Sequence, residues 1–76
     1  MTQNEVQDFA DENKLDVRPI QPYQWRLMNE FGKYILDVYF KKNKRGVIIK
    51  NSVLKWEGEK WTEAHSVEDL KKLLTG

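Results

Sequence analysis

The sequence predicts an α+β fold: one small domain, residues 1–76, in which an antiparallel meander packs against two terminal helices. Apolar residues recur at helical spacing near both ends of the chain, and they alternate with polar residues through its middle. The 76 residues lie close to the lower size limit for a core that folds unaided, and there is no cysteine to form a disulfide. The predicted element order is α-β-β-β(-β)-α, with three to five strands.

The first helix is predicted over about residues 3–14. Thr2 and Glu5 have the spacing of a capping box, in which the hydroxyl accepts from a backbone N–H and the carboxylate reaches back to another. The apolar side chains that follow lie on one helical face: Val6, Phe9 and Ala10.

The segment Arg18-Pro19-Ile20-Gln21-Pro22 is predicted to be a connector without regular structure, because each proline restricts its own φ and the residue before it. The same segment has the P-x-x-P spacing of polyproline ligands. Since the prolines join two elements, we favour the connector.

The middle of the chain predicts the strands. Period-two alternation and β-branched residues place them at about 23–28, 34–40, 46–50 and 53–56, with a further strand at 60–62. Gly32 and Gly46 close the first two turns between them, and Glu57-Gly58-Glu59 is predicted to form the last.

The second helix is predicted over about 67–74. Ser66 and Asp69 form an S-x-x-D variant of the capping box, and Gly76 is a suitable stop. Its apolar face is Val67, Leu70, Leu73 and Leu74.

The composition argues against an enzyme, a cofactor or a metal site. His65 is the single imidazole, and it directly precedes the predicted helix start, where a hinge or surface role is the more common one. No glycine pattern for phosphate binding occurs. No apolar run approaches the length of a membrane span, and the acidic N-terminus lacks a signal-peptide core, so we expect a cytoplasmic protein without a membrane partner.

The net charge of +1 conceals segregated charge: residues 1–17 carry −4, residues 18–55 carry +7 and residues 56–76 carry −2. Basic residues interleaved with aromatic residues are typical of nucleic-acid binding, since the basic side chains contact phosphates and the aromatic rings stack on nucleobases. The predicted contact residues are Arg26, Lys33, Lys41, Lys42, Lys44, Arg45 and Lys50, with the rings of Trp25 and Tyr39. The centre of this surface is the basic turn, residues 41–46. The competing interpretation is that Trp25, Tyr34 and Phe40 belong to the core and that the lysines only confer solubility.

Two resemblances bear on this hypothesis. The element order is similar to that of the double-stranded-RNA-binding domain, but Val67, Glu68 and Asp69 stand where that family has its phosphate-gripping lysines, so we do not adopt it. The stretch from Gly32 to Tyr39, followed by a Lys-rich turn, resembles the G-x-x-x-x-D-φ-Y strand (φ is apolar) of short uncharacterised proteins of phages and mobile elements. That resemblance implies no activity, and the proline common in the turn of those proteins is absent.

The alternative to nucleic-acid binding is a protein-binding module or inhibitor, which the phage resemblance raises because small phage proteins frequently act by blocking host factors. The first helix exposes an acidic series that could dock on a basic partner: Glu5, Asp8, Asp11 and Glu12. Exposed aromatics could serve the same role. The sequence leaves the partner and the oligomeric state open.

Overall fold

The computed structural model describes residues 1–56 and 60–75, and this part of the chain forms two helices and five strands. In chain order they are α1 (Gln3–Glu12), β1 (Asp16–Gln21), β2 (Gln24–Met28), β3 (Tyr34–Lys42), β4 (Ile48–Lys55), β5 (Trp61–Ala64) and α2 (Val67–Thr75). The strands form one antiparallel sheet in the order β1-β2-β3-β4-β5, so each strand pairs with its neighbour in the chain. The predicted α+β class is confirmed.

Both helices pack against the same face of the sheet. The core between them combines the buried stripe of α1, Leu70 of α2 and every second residue of the central strands. Its members are Val6, Phe9, Ala10, Leu15, Leu27, Leu36, Val38, Phe40, Val53, Ala64 and Leu70. Phe40 and Trp25 lie on this covered side, where their rings meet edge to face at 5.3 Å, as the core interpretation predicted.

Strand β1 is absent from the sequence-based prediction, in which most of it is a connector. That prediction is wrong: Arg18 pairs with Arg26, and Pro19 pairs with Trp25. Proline is tolerated because β1 is an edge strand, where a missing N–H does not interrupt the ladder. The pairing becomes irregular between Pro19 and Gln21, just before the chain turns into β2.

The predicted strands at 46–50 and 53–56 are one continuous strand, β4. Asn51 and Ser52, which separate the two predicted strands, stay paired with Phe40 and Tyr39 on β3. The predicted last strand is present as β5, whereas the predicted turn Glu57-Gly58-Glu59 and the stop at Gly76 lie outside the described residues.

The first two turns of the central meander are built in the same way. Asn29 and Asn43 each accept hydrogen bonds through Oδ1 from the backbone N–H groups two and four residues later, at 2.9–3.0 Å. Gly32 and Gly46 close these turns with φ of 80° and 81°, as predicted, in the left-handed region that glycine adopts without strain. These N-x-x-G turns fix the register of β2, β3 and β4.

The helix starts are close to those predicted. At α1 the hydroxyl of Thr2 accepts from Glu5 N–H at 3.2 Å, and the Glu5 carboxylate accepts from Thr2 N–H at 3.1 Å, so the capping box is confirmed. At α2 the Asp69 carboxylate accepts from the backbone N–H of His65 at 2.8 Å, one residue before the predicted cap. The end of α1 falls at Glu12 instead of residue 14, since Lys14 adopts a φ of 56° that no helix continues through.

These two caps predict a loss of stability in acid. Backbone hydrogen bonds, from Thr2 to Glu5 and from His65 to Asp69, hold the pKa of each carboxyl below its ordinary value. The stabilisation is therefore complete above the ordinary pKa and is lost as the pH falls through the lowered one. Urea unfolding over a pH series should show a smaller decrease in acid for the double variant Glu5→Gln, Asp69→Asn than for the native protein; an unchanged decrease would contradict the assignment.

Candidate nucleic-acid interface

The sheet face opposite the helices, which we call the open face, carries most of the aromatic and charged side chains of the strands. In the described part of the chain neither helix packs on it. Its residues include Asp16, Arg18, Gln24, Arg26, Met28, Tyr34, Asp37, Tyr39, Lys41, Lys50, Ser52, Leu54, Trp56, Trp61 and Glu63, with Tyr23 at its border. Four of the rings are substantially exposed: Trp61 at 44%, Tyr23 at 41%, Tyr34 at 39% and Trp56 at 38%. A sheet face of this kind presents a broad surface on which planar ligands can lie.

Asp37 accepts hydrogen bonds from three other side chains on one half of the open face. Although its side chain projects from the open face, Asp37 is only 1% exposed, because three neighbouring side chains close over it. Its carboxylate accepts hydrogen bonds from Arg26 Nε at 3.0 Å, Arg26 Nη2 at 3.2 Å, Gln24 Nε2 at 3.1 Å and Trp56 Nε1 at 3.0 Å. Since both oxygens are shared among donors, the carboxylate compensates the charge of Arg26 and fixes the orientation of Gln24 and Trp56.

The Arg26 guanidinium also contacts two rings. Its central carbon lies 4.8 Å from the ring centroids of both Tyr34 and Trp56, whose rings are themselves 5.1 Å apart. The hydrogen bond to Asp37 is the main cause of a raised pKa at Arg26, whose guanidinium is a cation at physiological pH even without this shift. Cation–π contact and ion pairing therefore fix the two rings in place.

A β-bulge explains why Tyr34 is on the open face instead of in the core. Leu27 pairs with Leu36 and Met28 pairs with Tyr34, so Ile35 is an extra residue on β3. Ile35 packs against the core, and the alternation reverses at Tyr34. The expectation that Tyr34 is a core residue fails for this reason.

A shallow groove of about 330 Å³ crosses the other half of the open face. One residue from each of four strands lines it: Gln24, Tyr39, Ser52 and Trp61. The ring of Tyr23 meets the ring of Tyr39 edge to face at 5.4 Å and supports it from outside the groove. Two of the four residues that line the groove, Tyr39 and Trp61, are thus aromatic.

Cations border the groove. Phe40 is buried in the core, so its neighbour Lys41 projects from the open face, and the cross-strand partner of Lys41 is Lys50. Like charges directly opposite each other destabilise a sheet. Glu63 compensates part of this charge through an exposed ion pair with Lys50 at 4.0 Å. The remaining positive charge favours an anionic ligand at this end of the open face.

The structure brings together only part of the predicted contact set. Arg26, Lys41, Lys50 and Tyr39 share the open face. Trp25 lies on the covered face, and Lys42 lines a groove beside the first turn of α1. The remaining cations are in turns at opposite ends of the sheet: Lys44 and Arg45 at one end and Lys33 at the other.

Several open-face residues were not predicted as contacts: Tyr23, Gln24, Tyr34, Asp37, Ser52, Trp56 and Trp61. The sequence contained a signal for one of these residues, Asp37, in the alternation along the predicted strand that became β3. Asp37, Tyr39 and Lys41 follow one another at a spacing of two on a predicted strand whose other face is apolar, and that spacing places them together. The positions of Trp56 and Trp61 flank a predicted turn, which suggested that their rings contact each other. In the structure Trp56 instead contacts Tyr34, and Trp61 pairs with Leu54, so strand pairing decides where both rings lie.

The acidic series of α1 lies on the helical side of the sheet. Glu5 is engaged in the capping box, and Asp11 accepts from Gln7 Nε2 at 3.0 Å. Asp8 and Glu12 are exposed. The two surfaces predicted from the sequence are thus on opposite sides of the molecule, so variants can address each one separately.

Comparisons with protein-family models, with curated protein sequences and with solved structures find no match. The resemblance to phage proteins therefore stays a prediction.

Within the described residues no helix is both long and apolar enough for a membrane span. Nor do those residues bring three potential His, Cys, Asp or Glu metal ligands together.

Proposed function

We propose that this domain is a non-catalytic binding module that binds single-stranded nucleic acid on the open face of its sheet. The observation that carries the proposal is the juxtaposition of exposed rings with unbalanced positive charge on a face that neither helix covers within the described residues. Sheets that bind single strands use this combination: rings stack on the bases while cations contact the phosphates.

The rings support binding of unpaired bases. Tyr39 and Trp61 flank a groove open to solvent, and each stacked base contributes on the order of 1–3 kcal/mol to such complexes. Bases inside a duplex are stacked on one another and have no free face to offer. The open face therefore favours a single strand over a duplex.

The cations support a polyanion of limited length. Lys41 and Lys50 border the groove, and the basic turn continues the positive surface beyond the ends of β3 and β4. A phosphate between Lys41 and Lys50 would relieve their mutual repulsion. The acidic series of α1 lies on the other side of the sheet, so the strand is expected to cross the open face without wrapping around the domain.

Titration with a single-stranded oligonucleotide tests the proposal directly. Trp61 is exposed in the groove, so stacking should quench tryptophan fluorescence, and a duplex of the same sequence should bind more weakly. With contacts to about three phosphates, the logarithm of the binding constant should fall with the logarithm of salt concentration with a slope of about −2. A folded protein that binds no single strand at about 50 mM salt would refute the proposal, because electrostatic binding is strongest at low salt.

Two adjacent lysines provide a matched pair of variants. Lys41 projects from the open face and Lys42 lies beside α1, yet Lys41→Glu and Lys42→Glu change the net charge equally. We expect Lys41→Glu to weaken binding about tenfold at low salt, and Lys42→Glu to weaken it by about twofold, since long-range charge effects are screened. Equal losses for the two variants would contradict a site on the open face.

The protein-binding alternative predicts the reverse pattern. A partner that docks on α1 should be lost after Asp8→Lys and Glu12→Lys and retained after Lys41→Glu. That result, together with no affinity for oligonucleotides, would favour the alternative.

A further inference from the structure

The hairpin of β3 and β4 extends beyond the rest of the sheet. At this end, the last pair between β3 and β2 is Tyr39 with Gln24, and the last pair between β4 and β5 is Asn51 with Ala64. In the described part of the chain, residues 41–50 therefore form a two-stranded ribbon that no other strand flanks. We call this ribbon the basic arm.

The basic arm is exposed, and all of its charge is positive. Nine of its ten residues are exposed, and Ile48 is half-buried. Its charged side chains are Lys41, Lys42, Lys44, Arg45 and Lys50. Among these cations, only Lys50 forms an ion pair with another described residue, the exposed contact with Glu63 at 4.0 Å. The arm thus has most of its charge available for an external anion.

The cations surround the arm instead of lying on one side of it. Lys41 projects from the open face, whereas Lys42 lines a groove of about 490 Å³ that separates the arm from the first turn of α1. Lys44 and Arg45 are in the turn at the tip. A flat anionic partner, such as a lipid surface, contacts the charges on one face of a ribbon. A partner with two negative walls contacts the charges on both faces.

The major groove of B-form DNA has two such walls. It is about 12 Å wide and about 8.5 Å deep, it admits a two-stranded β-ribbon, and phosphates border it on both sides. The paired strands of the arm lie about 4.8 Å apart, and the three residues from Lys41 to Asn43 extend about 10 Å beyond the sheet. The arm is therefore long enough to reach the floor of this groove. The major groove of double-stranded RNA is too narrow to admit the ribbon.

We infer that the basic arm is a second nucleic-acid site, which enters the major groove of duplex DNA. Lys41 and Lys50 lie at its base and also on the open face, so the two sites are continuous. A duplex with a single-stranded overhang can occupy both sites at once. The preference for such a junction rests on the proposed function, whereas binding of a duplex by the arm does not.

Three DNA probes of matched sequence test the inference: a single strand, a blunt duplex and a duplex with a single-stranded overhang. Measured by fluorescence anisotropy, the overhang duplex should bind at least about tenfold more tightly than the single strand, because the arm adds contacts to phosphates. Lys44→Ala with Arg45→Ala should reduce this preference to below about threefold and should weaken binding of the single strand by less than about threefold. The turn is held by hydrogen bonds from backbone N–H groups to Asn43, so this variant keeps the turn.

Lys71→Ala with Lys72→Ala is the matched control. It removes the same charge from α2, on the covered side of the sheet, and should leave the preference for the overhang duplex unchanged. An equal loss of preference in the control would overturn the inference, since net charge and not the arm would then govern binding.

The remaining outcomes separate the arm from the proposed function. An overhang duplex that binds no more tightly than the single strand, or a preference that the Lys44 and Arg45 variant retains, overturns the inference while the proposed function stands. Tighter binding to phosphatidylserine vesicles than to the overhang duplex, lost in the same variant, overturns it in favour of a lipid surface. Duplex binding that this variant loses, without any binding of the single strand, supports the arm and refutes the proposed function.

Discussion

Replacing Asp37 with alanine is expected to destabilise the folded domain by about 3–5 kcal/mol, the usual loss when one partner of a buried ion pair is removed. The carboxylate is 1% exposed and accepts four hydrogen bonds. Without it, Arg26 keeps its charge in a position only 21% exposed, and the donors of Gln24 and Trp56 lose their acceptor. A domain of this size has little net stability to lose, so a large unfolded fraction is expected even without denaturant.

Equilibrium unfolding in urea, followed by tryptophan fluorescence and by circular dichroism, measures this effect. Asp8→Ala is the matched control: the same substitution on an exposed face of α1 should change the unfolding free energy by less than about 0.5 kcal/mol. If Asp37→Ala were as mild as the control, the network would not stabilise the fold. Asp37→Asn, which keeps the shape but brings an NH₂ group among donors, should fall between the two.

Removing the two groove rings together is expected to abolish most of the affinity for single strands. At about 1–3 kcal/mol for each stacked base, Tyr39→Ala with Trp61→Ala should weaken binding at least about 25-fold. The core does not include either residue, so the variant should remain folded. Oligonucleotide binding by fluorescence anisotropy measures the loss, since that readout does not depend on the missing tryptophan.

Phe31→Ala is the control for this experiment. Phe31 is 85% exposed in the turn between β2 and β3, away from the groove, so its removal takes away exposed aromatic surface without touching the proposed site. Binding should change by less than about twofold. Comparable losses in the two variants would show that exposed aromatic area in general, and not the groove, governs affinity.

The element order and the turns of the fold were predictable because each depends on residues close in sequence. The capping box at Thr2 and the glycines at positions 32 and 46 act within a few residues, and the structure confirms them. Strand β1 was missed because two prolines are a strong local signal against regular structure. Prolines do not exclude a strand at the edge of a sheet, because half of the backbone groups of an edge strand need no hydrogen-bond partner within the sheet.

The candidate site was predictable only in part, because its residues are brought together by pairing between strands and not by their spacing along the sequence. Lys41 and Tyr39 could be placed together from alternation on one strand. The bulge at Ile35, which brings Tyr34 beside Arg26, leaves no local signature in the sequence. Trp25 shows the opposite case: it looks like a stacking residue beside Arg26, yet alternation sends it to the covered face.

The sequential strand order has a consequence for how the chain reaches this structure. Every strand pairs with the next one along the chain, so the sheet can grow by successive hairpin closures of a few residues each. Short closures lose little chain entropy, and proteins dominated by local contacts cross lower kinetic barriers than those with distant pairings. We therefore expect the sheet to assemble by local steps, and the helices at the two chain ends to complete the core by docking onto the same side of it.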